Sequence, residues 1–217
     1  MTSLANYSPA EERVHVLTHA GGVVLSIAGL SWMLYASLGL GDPWRIVASI
    51  VYGISLVTLF SASTVYHYLH VSPNRQFYKL LDHCAIYILI AGTYTPFLLI
   101  AMRDSIGWWL FAAIWTLATA GIIKKIWIRY RYPRFSLLSY LAMGWLCLLA
   151  IPALVESIST EGLIWLTAGG LAYTFGTIFY MRKKMLYHHA IWHVFVLVGA
   201  ICHFLAVAVY VLPATAG

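Results

Sequence analysis

Residues 44–68 read WRIVASIVYGISLVTLFSASTVYHY. Arg45 stands at one end and His67 at the other, and positions 46–66 hold no Asp, Glu, Lys, Arg or His. A helix needs roughly 20 apolar residues to cross a bilayer, so this stretch reads as a transmembrane span with its ionisable groups at the two interfaces. The same pattern recurs at 14–40, 80–102, 106–128, 135–155, 163–181 and 189–212. The breaks between the runs have physical causes. Gly41-Asp42-Pro43 closes the first, and Ser72-Pro73-Asn74-Arg75 closes the second, because proline and charge stop a lipid-facing helix. Pro96 and Pro152 fall inside spans and are expected to kink them, which bundles tolerate.

Composition agrees. The 217 residues are 62% hydrophobic and 9% charged, against about 25% charged in a soluble domain. That excludes a soluble enzyme, a disordered tail and a secreted disulfide scaffold. The fold class is all-α: one polytopic seven-helix membrane domain over 1–217, with a short polar segment at 1–13. That segment carries Glu11 and Glu12, unlike a cationic n-region, so no cleavable signal peptide is expected. Cys84, Cys147 and Cys202 form no CxxC pair and support neither a disulfide framework nor a zinc ribbon.

The net charge of +6 reports topology rather than nucleic acid. With seven spans, one side collects Arg13, then Arg75 and Lys79, then Lys124, Lys125, Arg129, Arg131 and Arg134, then Arg182, Lys183 and Lys184. Only Arg45 and Arg103 of the 13 basic residues lie opposite. The positive-inside rule therefore puts the N-terminus in the cytoplasm and the C-terminus outside, the orientation expected of a multi-pass plasma-membrane protein. Gly22 and Ser26, or Ala172 and Gly176, sit four apart and suit close helix packing.

Nine histidines are many for a membrane chain, where ionisable groups are costly. His15 and His19, His67 and His70, Asp82 and His83, and His188, His189 and His193 all belong to the cytoplasmic ends of their spans. Distant segments thus bring imidazoles and a carboxylate to one depth. His189 and His193 are i and i+4, about 40° apart around a helix and about 6 Å along it, so both can face one point. Ser63 and His67 share that spacing. His67 would complete a set of three nitrogens, and Asp82 would hold a metal-bound water or orient a ligand imidazole. Three ligands leave a fourth zinc position open, as catalytic sites do, and zinc supplies an acidified water and a polarised carbonyl. Spacing and depth alone leave a metal site and a set of hydrogen-bonded interfacial histidines both open. His15, His70, His83 and His188 read as interfacial residues, and His203 as a satisfied core histidine.

Three blocks carry a family resemblance: Ser63-Thr64-Val65-Tyr66-His67; Leu81-Asp82-His83-Cys84-Ala85-Ile86-Tyr87 running on to Ala91-Gly92-Thr93-Tyr94-Thr95-Pro96-Phe97; and His189-Ala190-Ile191-Trp192-His193. In this order they resemble the bacterial hemolysin III family, which belongs with the progestin and adipoQ receptors. The resemblance implies a seven-helix bundle with zinc on His67, His189 and His193. It implies Asp82 and Ser63 as the catalytic acid and serine, with His19, Glu12 and Tyr66 around the ligands. Eukaryotic relatives are associated with ceramidase-like amide hydrolysis, and bacterial ones with membrane lipid and fluidity homeostasis. One position departs: Glu12 and Thr18-His19 fit the family's first motif, but His15 stands where Asn is usual. His15 reads as either an extra polar contact near the site or an inert surface residue, and we favour the second.

The first functional expectation is a zinc-dependent hydrolase of a lipid amide or ester, with membrane lipids as partners and a lipid or fatty-acid ligand near the cytoplasmic leaflet. The alternative is a non-enzymatic membrane-state sensor with structural zinc, whose basic loop 124–134 meets anionic headgroups. A pore fits worst, because the span middles offer only scattered Ser, Thr and Tyr. A retinal-type pigment lacks a mid-membrane lysine.

Overall fold

The computed structural model describes residues 7–128 and 133–213. All regular structure there is helical, and seven segments are long and apolar enough to cross a membrane. They are built from α1 (Pro9–Leu40), α2 (Pro43–Tyr68), α3 (Arg75–Pro96), α4 (Gly107–Ile128), α5 (Pro133–Gly144), α6 (Ile151–Ser157), α7 (Thr160–Met181) and α8 (His188–Leu205). The fifth span joins α5 and α6 through a 3-10 turn, Leu146–Ala150. Arg129 and Arg131 of the basic loop lie outside the described residues.

Both intraspan prolines mark changes of helix type. After Pro96, α3 passes into a π turn, Phe97–Ala101, where the Met102 amide bonds the Phe97 carbonyl at 2.9 Å. Proline removes an amide donor and crowds the preceding turn, and a wider turn absorbs both. Pro152 sits in the first turn of α6, where its missing N–H costs nothing. A second π turn, Ala206–Val211, ends the last span. At this end Arg45 donates to the Leu212 carbonyl, and Asp42 pairs with Arg103 at 3.0 Å. The two basic residues opposite the basic end are thereby neutralised or bonded.

The bundle packs α1 against α2 and α8, α2 against α3, and α7 against α8, with α3 enclosed between α2, α4 and α5. α1 is amphipathic in the reverse of the soluble sense. Its buried stripe is Glu12, His15, His19, Gly22, Ser26, Gly29, Met33 and Ser37, spaced by three and four. Leu17, Val24, Leu25, Ile27, Tyr35 and Leu38 point outward. Lipid solvates apolar side chains, so the polar and small face turns inward. Gly22 meets the Phe60 ring, and Gly176 meets Trp192 and Phe195, where a Cβ would collide.

The first helix starts earlier than the apolar run suggests. Ser8 and Glu11 form a capping box: Ser8 Oγ accepts from the Glu11 amide at 3.2 Å, and Glu11 Oε2 accepts from the Ser8 amide at 2.9 Å. The reciprocal bonds satisfy two amides that would otherwise end the helix unpaired. Glu11 and Glu12 are therefore helical and buried, not part of a solvated tail.

Candidate metal centre

At the basic end of the bundle, α1, α2 and α8 bring four imidazoles together. The ring centroids of His15, His67, His189 and His193 lie 4.5 to 5.2 Å apart in all six pairings, the corners of a near-regular tetrahedron. His15 is fully buried, so it is not the surface residue expected from the sequence. It lies three residues after Glu12 and four before His19, on the inward stripe of α1. That spacing was present in the sequence.

His67, His189 and His193 each offer a nitrogen, and the three lie within 4.8 Å of one another. His67 Nε2 and His189 Nε2 are 3.2 Å apart. Two imidazoles on one tetrahedral zinc, at bond lengths of about 2.0–2.1 Å, would place their nitrogens roughly 3.3 Å apart.

The outer nitrogens of two rings are held by α1. Glu12 Oε2 lies 2.6 Å from His67 Nδ1, while Arg75 donates to Glu12 Oε1 at 3.0 Å. With Arg75 fixing the carboxylate, His67 donates from Nδ1 and keeps Nε2 as a bare lone pair. Thr18 does the same for His193. Its one hydroxyl proton goes to the Val14 or His15 carbonyl, at 2.8 and 2.9 Å. Its oxygen therefore accepts from His193 Nδ1 at 3.3 Å, freeing Nε2. His19 stacks on His193 at 3.6 Å and 12°, and neither of its nitrogens has a hydrogen-bond partner among the described residues. Tyr66 sits tilted beside His67 at 4.6 Å and 57° and under the Arg75 guanidinium at 5.6 Å.

Three contacts of this centre were absent from the sequence reading. Tyr7 stacks on His189 at 5.2 Å and meets the edge of His15 at 4.8 Å. Burial raises its phenol above the ordinary value, so it remains a neutral O–H. Arg75 is the partner of Glu12. Glu11 Oε1 accepts the amide of Tyr187 at 3.0 Å. That residue has φ 55°, an unusual conformation for a bulky side chain, directly before α8 delivers His189.

Asp82 and Ser63 stand apart from this cluster. Both line the cavity described below, and His83 Nδ1 lies 3.6 Å from Asp82 Oδ2. Asp82 joins neither cation-binding set found among the described residues, the second being Glu12, His15 and His67. The carboxylate on His67 Nδ1 is that of Glu12, not Asp82. The reason is reach: Glu12 lies behind His67 on α1, whereas Asp82 looks into a cavity. Of the other histidines, His70 bonds the His67 carbonyl at 3.0 Å, His83 bonds the Lys79 carbonyl at 2.8 Å, and His203 bonds the Leu166 carbonyl at 3.1 Å. His188 is buried.

A cavity of about 480 Å³ runs from this level toward the opposite end. His189, His193, His19, Ser63 and Asp82 share its polar wall, and Leu98, Leu154, Leu163 and Val196 line its apolar depth. The imidazole cluster thus has a closed side against α1 and an open side facing this cavity.

A family model described as Haemolysin-III related matches residues 7–204. Hemolysin-3 of Bacillus cereus is 45% identical over 203 residues, covering 94% of this chain and 93% of that protein. The Hemolysin-3 homolog of Bacillus subtilis (strain 168) is 41% identical over 200 residues, covering 92% and 94%. The monocyte to macrophage differentiation factor of Homo sapiens is 32% identical over 216 residues, covering 94% and 87%.

Proposed function

The chain belongs to the Haemolysin-III related family of multi-pass membrane proteins, and from that footing we propose that it holds a zinc ion and hydrolyses an amide or ester of a membrane lipid. The observation that carries this reading is the pair of Nε2 atoms of His67 and His189 3.2 Å apart, with His189 at the wall of an apolar cavity that Ser63 and Asp82 also line. His67, His189 and His193 hold the ion through Nε2. When bound, the ion acidifies a water and polarises a carbonyl.

The chain's own groups supply the rest. Glu12 and Thr18 fix the tautomers of His67 and His193. The apolar cavity takes the acyl chain and excludes bulk water. The Asp82 carboxylate takes a proton from the attacking water and returns it to the leaving amine or alcohol. The products are a carboxylic acid and that amine or alcohol. Ser63, on the same cavity wall as Asp82, donates its hydroxyl proton in a hydrogen bond to the attacking water or to the developing oxyanion. The basic end faces the cytoplasm, so lipid enters from the inner leaflet, and turnover serves membrane lipid and fluidity homeostasis.

The first test is elemental analysis of detergent-purified protein beside the His67→Ala/His189→Ala/His193→Ala variant, followed by lipid amide and ester hydrolysis with His193→Ala as control. Equal product from wild type and His193→Ala ends the hydrolase reading.

A second reading has its own support. The fourth imidazole, His15, completes the tetrahedron of rings, and its Nε2 is buried without a hydrogen-bond partner among the described residues. Were His15 a ligand, the site would be closed and structural, as a membrane-state sensor requires. X-ray absorption on the metal-loaded protein separates the two: three nitrogen ligands plus oxygen supports the hydrolase, and four nitrogens supports the sensor.

A further inference from the structure

His203 lies inside the last span, ten residues beyond His193 on the same helix, α8. At 1.5 Å of rise per residue it stands about 15 Å farther along the bundle. A histidine at that depth is costly and needs partners. The sequence suggested a satisfied core histidine, and the structure satisfies one half of it. His203 Nε2 lies 3.1 Å from the Leu166 carbonyl. A carbonyl only accepts, so Nε2 carries the proton, and in a neutral imidazole Nδ1 is then a bare lone pair. That nitrogen is buried without a hydrogen-bond partner among the described residues. The satisfied edge of the ring is the one against α7. A Cβ at Gly169 would collide with Nε2 and Cδ2, so glycine lets this edge lie on the α7 backbone, and Nδ1 sits on the far edge. His203 is only 9% exposed, and it lines the cavity together with Leu163, Leu166, Tyr173 and Val196. A buried acceptor left unpaired costs about as much as a lost hydrogen bond.

We propose that His203 sets the specificity of the cavity: its Nδ1 accepts a hydrogen bond from a hydroxyl carried partway along the acyl chain of the ligand. The inference rests on the lipid-cavity part of the proposed function and deepens it by naming the substrate class, a hydroxylated acyl chain. Three lines of argument converge. A lone pair in need of a proton selects a hydroxyl and gains nothing from a ketone or ether oxygen, which only accept. The wall does not supply the proton itself. Leu163, Leu166 and Val196 have no donor in their side chains, and Tyr173 packs its ring 5.5 Å from His203 without donating to Nδ1. The donor therefore arrives with the ligand or with a water, and a water needs two or more polar partners to stay. Depth gives the position. An extended chain advances about 1.2 Å per bond, so a chain with its acyl carbon at the imidazole cluster reaches His203 about 12 carbons along.

The test compares three fatty acids of one length: octadecanoic acid, 12-hydroxyoctadecanoic acid and 12-oxooctadecanoic acid. Each displaces a fluorescent fatty acid from the protein purified in neutral detergent. The hydroxy acid should bind about three- to tenfold tighter than octadecanoic acid, the range for one added neutral hydrogen bond. The oxo acid, polar at the same carbon but without a proton to give, should bind no tighter than octadecanoic acid. His203→Phe keeps a ring and removes the acceptor; it should erase the preference and leave octadecanoic acid binding unchanged. His203→Gln, whose amide can donate to the Leu166 carbonyl and still accept, should restore part of it. Far-ultraviolet circular dichroism and gel filtration check that each variant folds. If His203→Phe fails to fold, the hydroxy and oxo acids on the unaltered protein decide. Equal binding of the hydroxy and unsubstituted acids overturns the proposal. So does an oxo acid that binds as tightly as the hydroxy acid, and so does a preference that His203→Phe leaves intact. Octadecanoic acid binding with no preference overturns this inference alone and leaves the hydrolase standing. Failure of all three acids to bind overturns the lipid cavity, and both readings with it.

Discussion

The imidazole cluster has two walls of opposite character. On the α1 wall, Glu12, His15 and His19 are buried, and Glu12 and Thr18 each receive an imidazole N–H. On the cavity wall, Ser63 and Asp82 face open space shared with His189 and His193. The first wall fixes where ring nitrogens point. The second leaves room for something to arrive. A preorganised site needs both: rigid support behind the ligands and an accessible side for chemistry.

Substitutions on the two walls should therefore fail differently. The largest effect belongs to the ligands common to both. His67→Ala removes one nitrogen and exposes Glu12 and Arg75 to an empty space; metal should be absent by elemental analysis, and hydrolysis with it. On the cavity wall, Asp82→Asn keeps shape but cannot accept a proton. Turnover should drop about 10²- to 10⁴-fold, the range for a lost general base, while metal content stays at the wild-type level. Retained turnover in that variant would remove Asp82 from the mechanism.

Glu12→Gln is the mirror experiment on the α1 wall. It keeps the size of the side chain but removes the charge that receives the His67 Nδ1 proton and pairs with Arg75. Metal affinity, measured by competition with a chromogenic chelator, should fall about 10- to 100-fold, with turnover per bound metal nearly unchanged. If Glu12→Gln and Asp82→Asn behaved alike, the division into supporting and reacting walls would be wrong. Thr18→Val should show the smallest effect. It loses one 3.3 Å contact to His193, so the same competition should report only a few-fold weaker affinity, on the scale of about 1 kcal/mol for a single neutral hydrogen bond.

Much of this was readable from the chain. Residues 44–68 announce a span by hydrophobicity alone, and His189 with His193 announce a shared helix face by spacing. Ser8 and Glu11 also carried a readable signal, since Ser-x-x-Glu is a capping box; the apolar run at position 14 outweighed it. His15 is a similar case: it departs from the family's Asn, yet its periodicity with Glu12, His19 and Gly22 already places it on the inward stripe of α1. The pairing of Arg75 with Glu12 was not legible, because nothing local joins residues 63 positions apart. Nor could the π turn after Pro96 be told from a simple kink.

Hydrophobicity and helical period are properties of short stretches, so the sequence alone determined the seven spans, their charge bias and which faces could meet. Which atom of which ring is left bare depends on partners delivered by other helices at ångström precision. Only the packed bundle decided that Glu12 rather than Asp82 meets His67 Nδ1, that His15 is enclosed, and that His203 is bonded through one ring nitrogen among the described residues. Side-chain direction is set by neighbours in space, and a linear pattern does not contain them.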